Sequence, residues 1–221
     1  MHRLQQRIIG KLMMNPPLRY SDLKPKLTEG NLFTYHLKKL INDGLVRKSG
    51  DRYELTATGK LRADRISLAT FSEPMQPKIV TIIIGQNGRG EQLLYRRDRE
   101  PFRGKVGFPH GKVHLGETIF QAAERELREK TGLAASFKHR GDVYAITFQD
   151  GDLVSQVLFH VFTATGFEGE LISKKTKAGQ AFWRKIELLD QSLLSPGVND
   201  IYQLVKTNPA HLFFAEFTYQ L

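Results

Sequence analysis

Between Gly111 and Leu133 the chain reads GKVHLGETIFQAAERELREKTGL, and the spacing of glycines and carboxylates in that run leaves few folding choices. Thr118 followed three residues later by Gln121 is a capping-box pair. Gly132 suits the left-handed stop that ends many helices. The stretch between them is therefore a helix, with Ile119, Ala123, Leu127 and Thr131 on a stripe that buries one side. Glu126, Glu129 and Lys130 stand at i, i+3 and i+4, so their side chains converge on another side. Convergent carboxylates suit a hard divalent cation, which takes oxygen ligands, screens phosphate charge and activates water. The plainer reading is an exposed helical ion pair between Glu126 and Lys130, contributing about 0.2–0.5 kcal/mol.

Taken whole, the run resembles the Nudix box: Gly, five residues, Glu, seven residues, then Arg-Glu-apolar-x-Glu-Glu-x-Gly-apolar. Gly111, Glu117, Arg125, Glu126, Leu127, Glu129, Gly132 and Leu133 occupy its fixed positions, and Lys130 stands where the last glutamate belongs. The resemblance implies a Nudix α/β/α sandwich that acts on a nucleoside diphosphate linked to another moiety. It assigns metal binding and catalysis to Glu126 and Glu129, with the backbone carbonyl of His110 as a further Mg²⁺ ligand. Gly111, Glu117, Arg125 and Gly132 take structural roles, Arg125 and Glu117 tying the loop to the helix. The resemblance also covers the entry to the box, Gly107-Phe108-Pro109-His110-Gly111, where His110 replaces a glycine and is expected to tolerate a left-handed backbone.

Lys130 changes the chemistry. Exchanging a carboxylate for an ammonium alters the local charge by two units. Two like unit charges ~4 Å apart repel by about 4 kcal/mol at an effective dielectric near ~20, and Mg²⁺ carries double charge. An inward-pointing Lys130 is expected to weaken or abolish Mg²⁺ binding while itself holding a phosphate as a point charge. Arg97 and Arg103, from the basic stretch Arg96, Arg97, Arg99, Arg103 and Lys105, are further ligand-binding candidates; the alternative is a solvated basic loop. A general base is not identified, although Glu168 and Glu170 follow at a distance.

Around the box, Lys78 to Gly85 is a β-branched run of strand length, and Gln92 to Arg96 continues after the Asn87-Gly88 turn signal. Tyr144 to Phe148 and Val154 to Thr163 alternate as two strands joined through Asp150-Gly151-Asp152. Phe182 to Ile186 reads as a strand and Val198 to Lys206 as a helix.

The first third of the chain has another character. Residues 1–72 hold 14 Lys and Arg against 6 Asp and Glu, a net of +8, whereas the remainder carries only +2. Such a concentrated positive charge is the footprint of a nucleic-acid-binding unit. Leu4 to Met13 predicts a first helix, Ser21 caps a second reaching about Leu27, and Gly30 marks a turn. A third helix follows over Asn31 to Asn42, with Phe33, Leu37, Leu40 and Ile41 on its inner face. Two short strands, Leu45 to Arg47 and Tyr53 to Leu55, flank a basic tip, and a closing helix runs from Gly59 to about Ala69. The stretch LFTYHLKKLINDGLVRKSGDRYELTATGK resembles the recognition helix and wing of winged helix-turn-helix regulators. That resemblance implies double-stranded DNA as partner, contacts from Asn31, Thr34, Tyr35, Lys38, Lys48 and Arg52, and a homodimer on paired half-sites. Winged helices also serve as protein-interaction modules.

The expected organisation is therefore a two-domain α+β / α/β chain: a winged helix over 1–72, a proline-bearing linker over 73–77 and a Nudix domain over 78–221. The absence of cysteine removes thiolate metal sites and cysteine nucleophiles. No apolar run is long enough to span a bilayer, so a cytoplasmic protein is expected. The combined reading resembles Nudix-related transcriptional regulators with the domain order reversed: a DNA-binding regulator whose Nudix domain binds a nucleotide or pyrophosphate ligand with hydrolysis weak or lost. The alternative is an active Mg²⁺-dependent hydrolase with the winged helix as an attachment.

Overall fold

A computed structural model describes residues 1–221, which divide into two compact units, 1–76 and 77–221. The division falls within the proline-bearing stretch that lacks periodicity, four residues beyond the expected end of the first unit.

In the first unit the order is α1 (Arg3–Met14), β1 (Leu18–Arg19), α2 (Tyr20–Leu23), α3 (Gly30–Asn42), β2 (Val46–Ser49), β3 (Arg52–Leu55) and α4 (Ala57–Ala63). Ile8, Ile9 and Leu12 of α1 recur at helical spacing and pack on Phe33, Leu37 and Leu40 of α3, with Val46, Tyr53 and Leu55 closing the core. Strands β1, β3 and β2 form a small antiparallel sheet in that order. Several sequence expectations shift here. Ser21 lies inside α2, not at its cap, and the helix stops at Leu23 before Pro25. Gly30 begins α3 instead of preceding it. The hairpin pairs as far as Ser49 with Arg52, so its tip is only Gly50-Asp51. The closing helix starts at the Thr56 cap and ends at Ala63.

The second unit is built on a five-stranded sheet, ordered β11 (Phe213–Gln220), β8 (Ala134–Gln149), β9 (Asp152–Glu168), β4 (Lys78–Gly85) and β7 (His110–Lys112). A smaller sheet runs β10 (Gly179–Arg184), β5 (Gln92–Arg97), β6 (Val106–Gly107). Because neighbouring residues of a strand face opposite ways, β4 serves two cores. Ile82 and Ile84 join Phe108, Val143 and Val161 under Val198 and Ile201 of α6 (Val198–Thr207). Ile83 joins Leu93, Phe162 and Ala164 under Ala123 and Leu127 of α5 (Ile119–Thr131). Helices thus cover both faces, the layering expected from the sequence. Strand β4 has its expected bounds, whereas β8 and β9 are much longer than the alternating segments that signalled them. No helix is long and apolar enough to cross a membrane.

Candidate functional site

Helix α5 is anchored at both ends by the residues its sequence announced. Thr118 accepts from Gln121 N while the Gln121 side chain accepts from Thr118 N, and Gly132 takes the left-handed cap at φ 77°. The helix is then tied to the loop before it. Arg125 donates from Nε and NH2 to the two Glu117 oxygens, at 2.6 and 2.9 Å, and from NH2 to the Lys112 carbonyl at 2.9 Å. This bidentate pair holds the Glu117 carboxyl down at about 2, Arg125 being the main cause and the His114 N–H the next. Glu117 and Arg125 thus fix where α5 begins relative to β7.

One turn further along, the charges are arranged differently. Glu126 is buried and turns back beneath β7, so close to Gly111 that a Cβ there would sit 1.7 Å from the Glu126 carboxyl carbon. Glycine alone fits there while Glu126 keeps this position. Arg125 NH1 donates to Glu126 Oε1 at 2.8 Å, and the Lys130 ammonium donates to Oε2 in a short ion pair. The same ammonium donates to the His110 carbonyl at 2.6 Å and lies 5.7 Å from the centre of the Tyr95 ring. Burial alone raises the Glu126 pKa, but Lys130 and Arg125 outweigh it and hold the group below its ordinary value. Glu129 stays exposed, with only a 3.4 Å approach to Arg125 NH1.

Lys130 therefore points inward and holds two of the oxygens that the box pattern assigns to a divalent cation, the His110 carbonyl and one Glu126 oxygen. The other Glu126 oxygen is taken by Arg125, and Glu129 faces solvent. This donor set does not fit a bound Mg²⁺ while Lys130 keeps its place: the ion would meet an ammonium at its own ligands.

These residues edge a cavity of about 300 Å³ whose apolar floor includes Val80, Ile82, Phe108 and Phe159. Its cations are Lys78, Arg97, Arg99, Lys112 and Lys130, against the single carboxylate of Glu126. The crowding shifts the titratable groups. His110 is lowered to about 4 by burial first and by Lys130 and Arg97, although the Phe108 carbonyl, 3.0 Å from Nδ1, favours its protonated form. Lys78 is lowered by burial and then by Arg97 and Lys112. Such a cavity is poised for an anion with an apolar extension.

Not every sequence candidate meets here. Arg97 lines the cavity and also ties its own loop, donating to the Arg99 and Glu100 carbonyls. Arg103 is exposed and does not line the cavity, Arg96 bonds Gln180, and Lys105 reaches the Ser192 carbonyl. Glu168 and Glu170 are likewise exposed and outside the lining. His110 lies on a strand without positive φ, so left-handed tolerance is not what admits it. Arg99, from the basic stretch already singled out, does line the cavity, whereas Lys78 and Lys112 escaped the sequence reading although β4 and β7 carry them.

In the first unit, α3 exposes Asn31, Tyr35 and Lys38, while Thr34 is half-buried and its hydroxyl shares a 2.8 Å hydrogen bond with Tyr20. Lys48 lies 5.9 Å from the Tyr53 ring centre, and Arg52 donates to the Pro17 carbonyl.

Comparison with known proteins gives a consistent picture of the second unit. A family model described as the NUDIX domain matches residues 75–206. The 8-oxo-dGTP diphosphatase of Haemophilus influenzae is 30% identical over 125 residues, 55% of this chain and 88% of that protein. The ADP-ribose pyrophosphatase of Methanocaldococcus jannaschii is 38% identical over 79 residues, and the match spans 36% of this chain and 46% of that enzyme. Among solved structures, a MutT protein from Bacillus halodurans is 26% identical with a TM-score of 0.51, covering 65% of this chain and 90% of its own. The NUDIX domain of Shewanella oneidensis NrtR, crystallised with ADP ribose, has a TM-score of 0.52 over 71% of this chain and 100% of its own. At 17% identity that likeness is one of fold alone.

Proposed function

From the premise that this chain belongs to the Nudix family, we propose that it is a DNA-binding regulator whose Nudix unit binds a nucleoside diphosphate-linked anion without a divalent metal, hydrolysis being weak or lost. The observation that carries this reading is the Lys130 ammonium seated on the His110 carbonyl and Glu126. A fixed protein cation in that place offers a phosphate its charge and leaves Mg²⁺ without its ligands. Lys78, Arg97, Arg99 and Lys112 add the charge a diphosphate needs, and the apolar floor receives the remainder of the molecule. Without the metal, the chain's residues bind and orient the anion but supply no activated water.

The regulatory half of the proposal rests on the first unit. The +8 charge of residues 1–72, the three helices followed by a two-stranded hairpin, and the exposure of Asn31, Tyr35 and Lys38 on α3 suit a winged helix whose third helix enters the major groove. Lys48 and Arg52 on the hairpin would contact phosphates, and a homodimer would read paired half-sites. Thr34 serves this role less directly, because its hydroxyl holds Tyr20.

The test uses ADP-ribose as a probe of the ligand class. The full chain should bind it equally in Mg²⁺ and in a chelator, turn it over slowly if at all, and show DNA affinity that falls steeply with salt and changes when ADP-ribose is present. Rapid Mg²⁺-dependent turnover, abolished in Glu129→Gln, would refute the metal-free reading. It would favour the second one, an active Nudix hydrolase, to which the names of the diphosphatase and pyrophosphatase relatives point.

A further inference from the structure

On the side of the main sheet away from the cavity, an irregularity between β8 and β9 assembles three metal-ligating side chains. His139 pairs with Phe162 and Gly141 with Val161, so Arg140 is an extra residue on β8. In a regular strand residues three apart face opposite ways; the bulge returns Asp142 to the side of His139. Asp142 in turn stands directly across from His160 on β9. The bulge is built into the surrounding packing. The Arg140 side chain is buried and its guanidinium donates to the Asn208 carbonyl, while Gly141, at φ 141°, lies where a Cβ would come within 2.1 Å of the Phe213 carbonyl oxygen.

His139 Nε2 lies 3.0 Å and His160 Nδ1 2.7 Å from the same Asp142 Oδ1, and the three ligand atoms all fall within 4.8 Å of one another. The trio is partly buried. The Phe162 ring packs 5.2 Å from His139, and Thr81, the register partner of His160 on β4, is fully buried with its hydroxyl unpartnered. Val143 and Val161, the next residues along each strand, turn instead into the core beneath α6.

We propose that His139, Asp142 and His160 bind a divalent transition metal of the zinc class. Two imidazole nitrogens and one carboxylate oxygen are ligands that zinc accepts in a tetrahedral shell and that Mg²⁺ does not favour. Three protein ligands leave a fourth position for water. Binding needs both imidazoles neutral, with the nitrogens that now face Asp142 turned to the metal as lone-pair donors. The ion would clip β8 to β9 at the bulge and stabilise the second unit by mass action. The competing reading is a hydrogen-bonded trio in which Asp142 merely orients two histidines.

Titration of the full chain with Co²⁺, followed by its visible absorption, decides between them. One equivalent should bind with the intense bands of a four-coordinate site and be displaced by Zn²⁺. The spectrum should be lost, or affinity reduced more than about a hundredfold, in His139→Ala, His160→Ala and Asp142→Asn, since losing a ligand should exceed the ~10–100-fold cost of losing a supporting partner. His110→Ala, on the opposite side of the sheet, should keep it. Zn²⁺ should also raise the thermal midpoint of the native chain and not of these variants; His139→Asn, which keeps size and polarity, replaces any alanine variant that does not fold. Absent Co²⁺ absorption, or absorption unchanged by loss of His139 and His160, overturns the proposal.

Discussion

The two charged corners of helix α5 follow the same box and have opposite outcomes. At the Arg125–Glu117 corner every residue of the family pattern is present, and the bidentate pair ties loop to helix. At the Glu126–Lys130 corner one glutamate has become a lysine, and the ammonium occupies oxygens that the pattern reserves for a metal. The contrast separates what positions the site from what equips it for chemistry. A helix can keep its placement, its caps and its buried carboxylate while the electrostatic task of that carboxylate changes from holding an external cation to holding an internal one.

Substitutions at either corner separate positioning from charge. The largest effect is expected from Gly111→Ala, whose added Cβ meets the Glu126 carboxylate beneath it; overpacking of this kind should cost about 3 kcal/mol, read from a denaturant midpoint. Lys130→Met should cost about 2 kcal/mol, because it leaves Glu126 buried with one partner instead of two. It should also weaken ADP-ribose binding at least about tenfold, and equal affinity would show that the ammonium contributes nothing to the ligand. Thr118→Ala removes the side-chain acceptor of the cap and should cost about 1 kcal/mol without altering ligand selectivity.

The smallest effect concerns acid. Glu117 is held at about 2 in the folded chain, below its ordinary 4.5, so the contribution of its pair is present above pH 4.5 and lost as pH falls toward 2. Glu117→Gln should flatten that part of the stability–pH curve. An unchanged acid limb would mean that other carboxylates govern it.

Much of the box corner was legible because its information is local. Capping residues, the apolar stripe and a terminal glycine lie within one helix, so Thr118, Gln121 and Gly132 announced its limits. The direction of Lys130 was not legible, since it depends on the His110 carbonyl, which a separate strand brings into reach. Among the basic residues around 96–105, sequence alone could not tell which face the cavity; Arg97 and Arg99 do, and Arg103 does not. Strand β11 went unread although its burial alternates at every residue, because its place parallel to β8 at the sheet edge is set by distant chain. The His139–Asp142–His160 group was hidden for a related reason: the strand period puts residues 139 and 142 on opposite faces, and only the bulge at Arg140 reverses that.

Whether Lys130 stands in for the metal is decided by the Mg²⁺ affinity of the native chain and of Lys130→Glu in the presence of ADP-ribose. Removing the ammonium and restoring a carboxylate should tighten Mg²⁺ binding by at least about a hundredfold, consistent with a repulsion of several kcal/mol at ~4 Å, and should make ADP-ribose binding depend on the metal. If the native chain already binds Mg²⁺ as tightly as the variant, Lys130 does not hold the metal's place and the account fails.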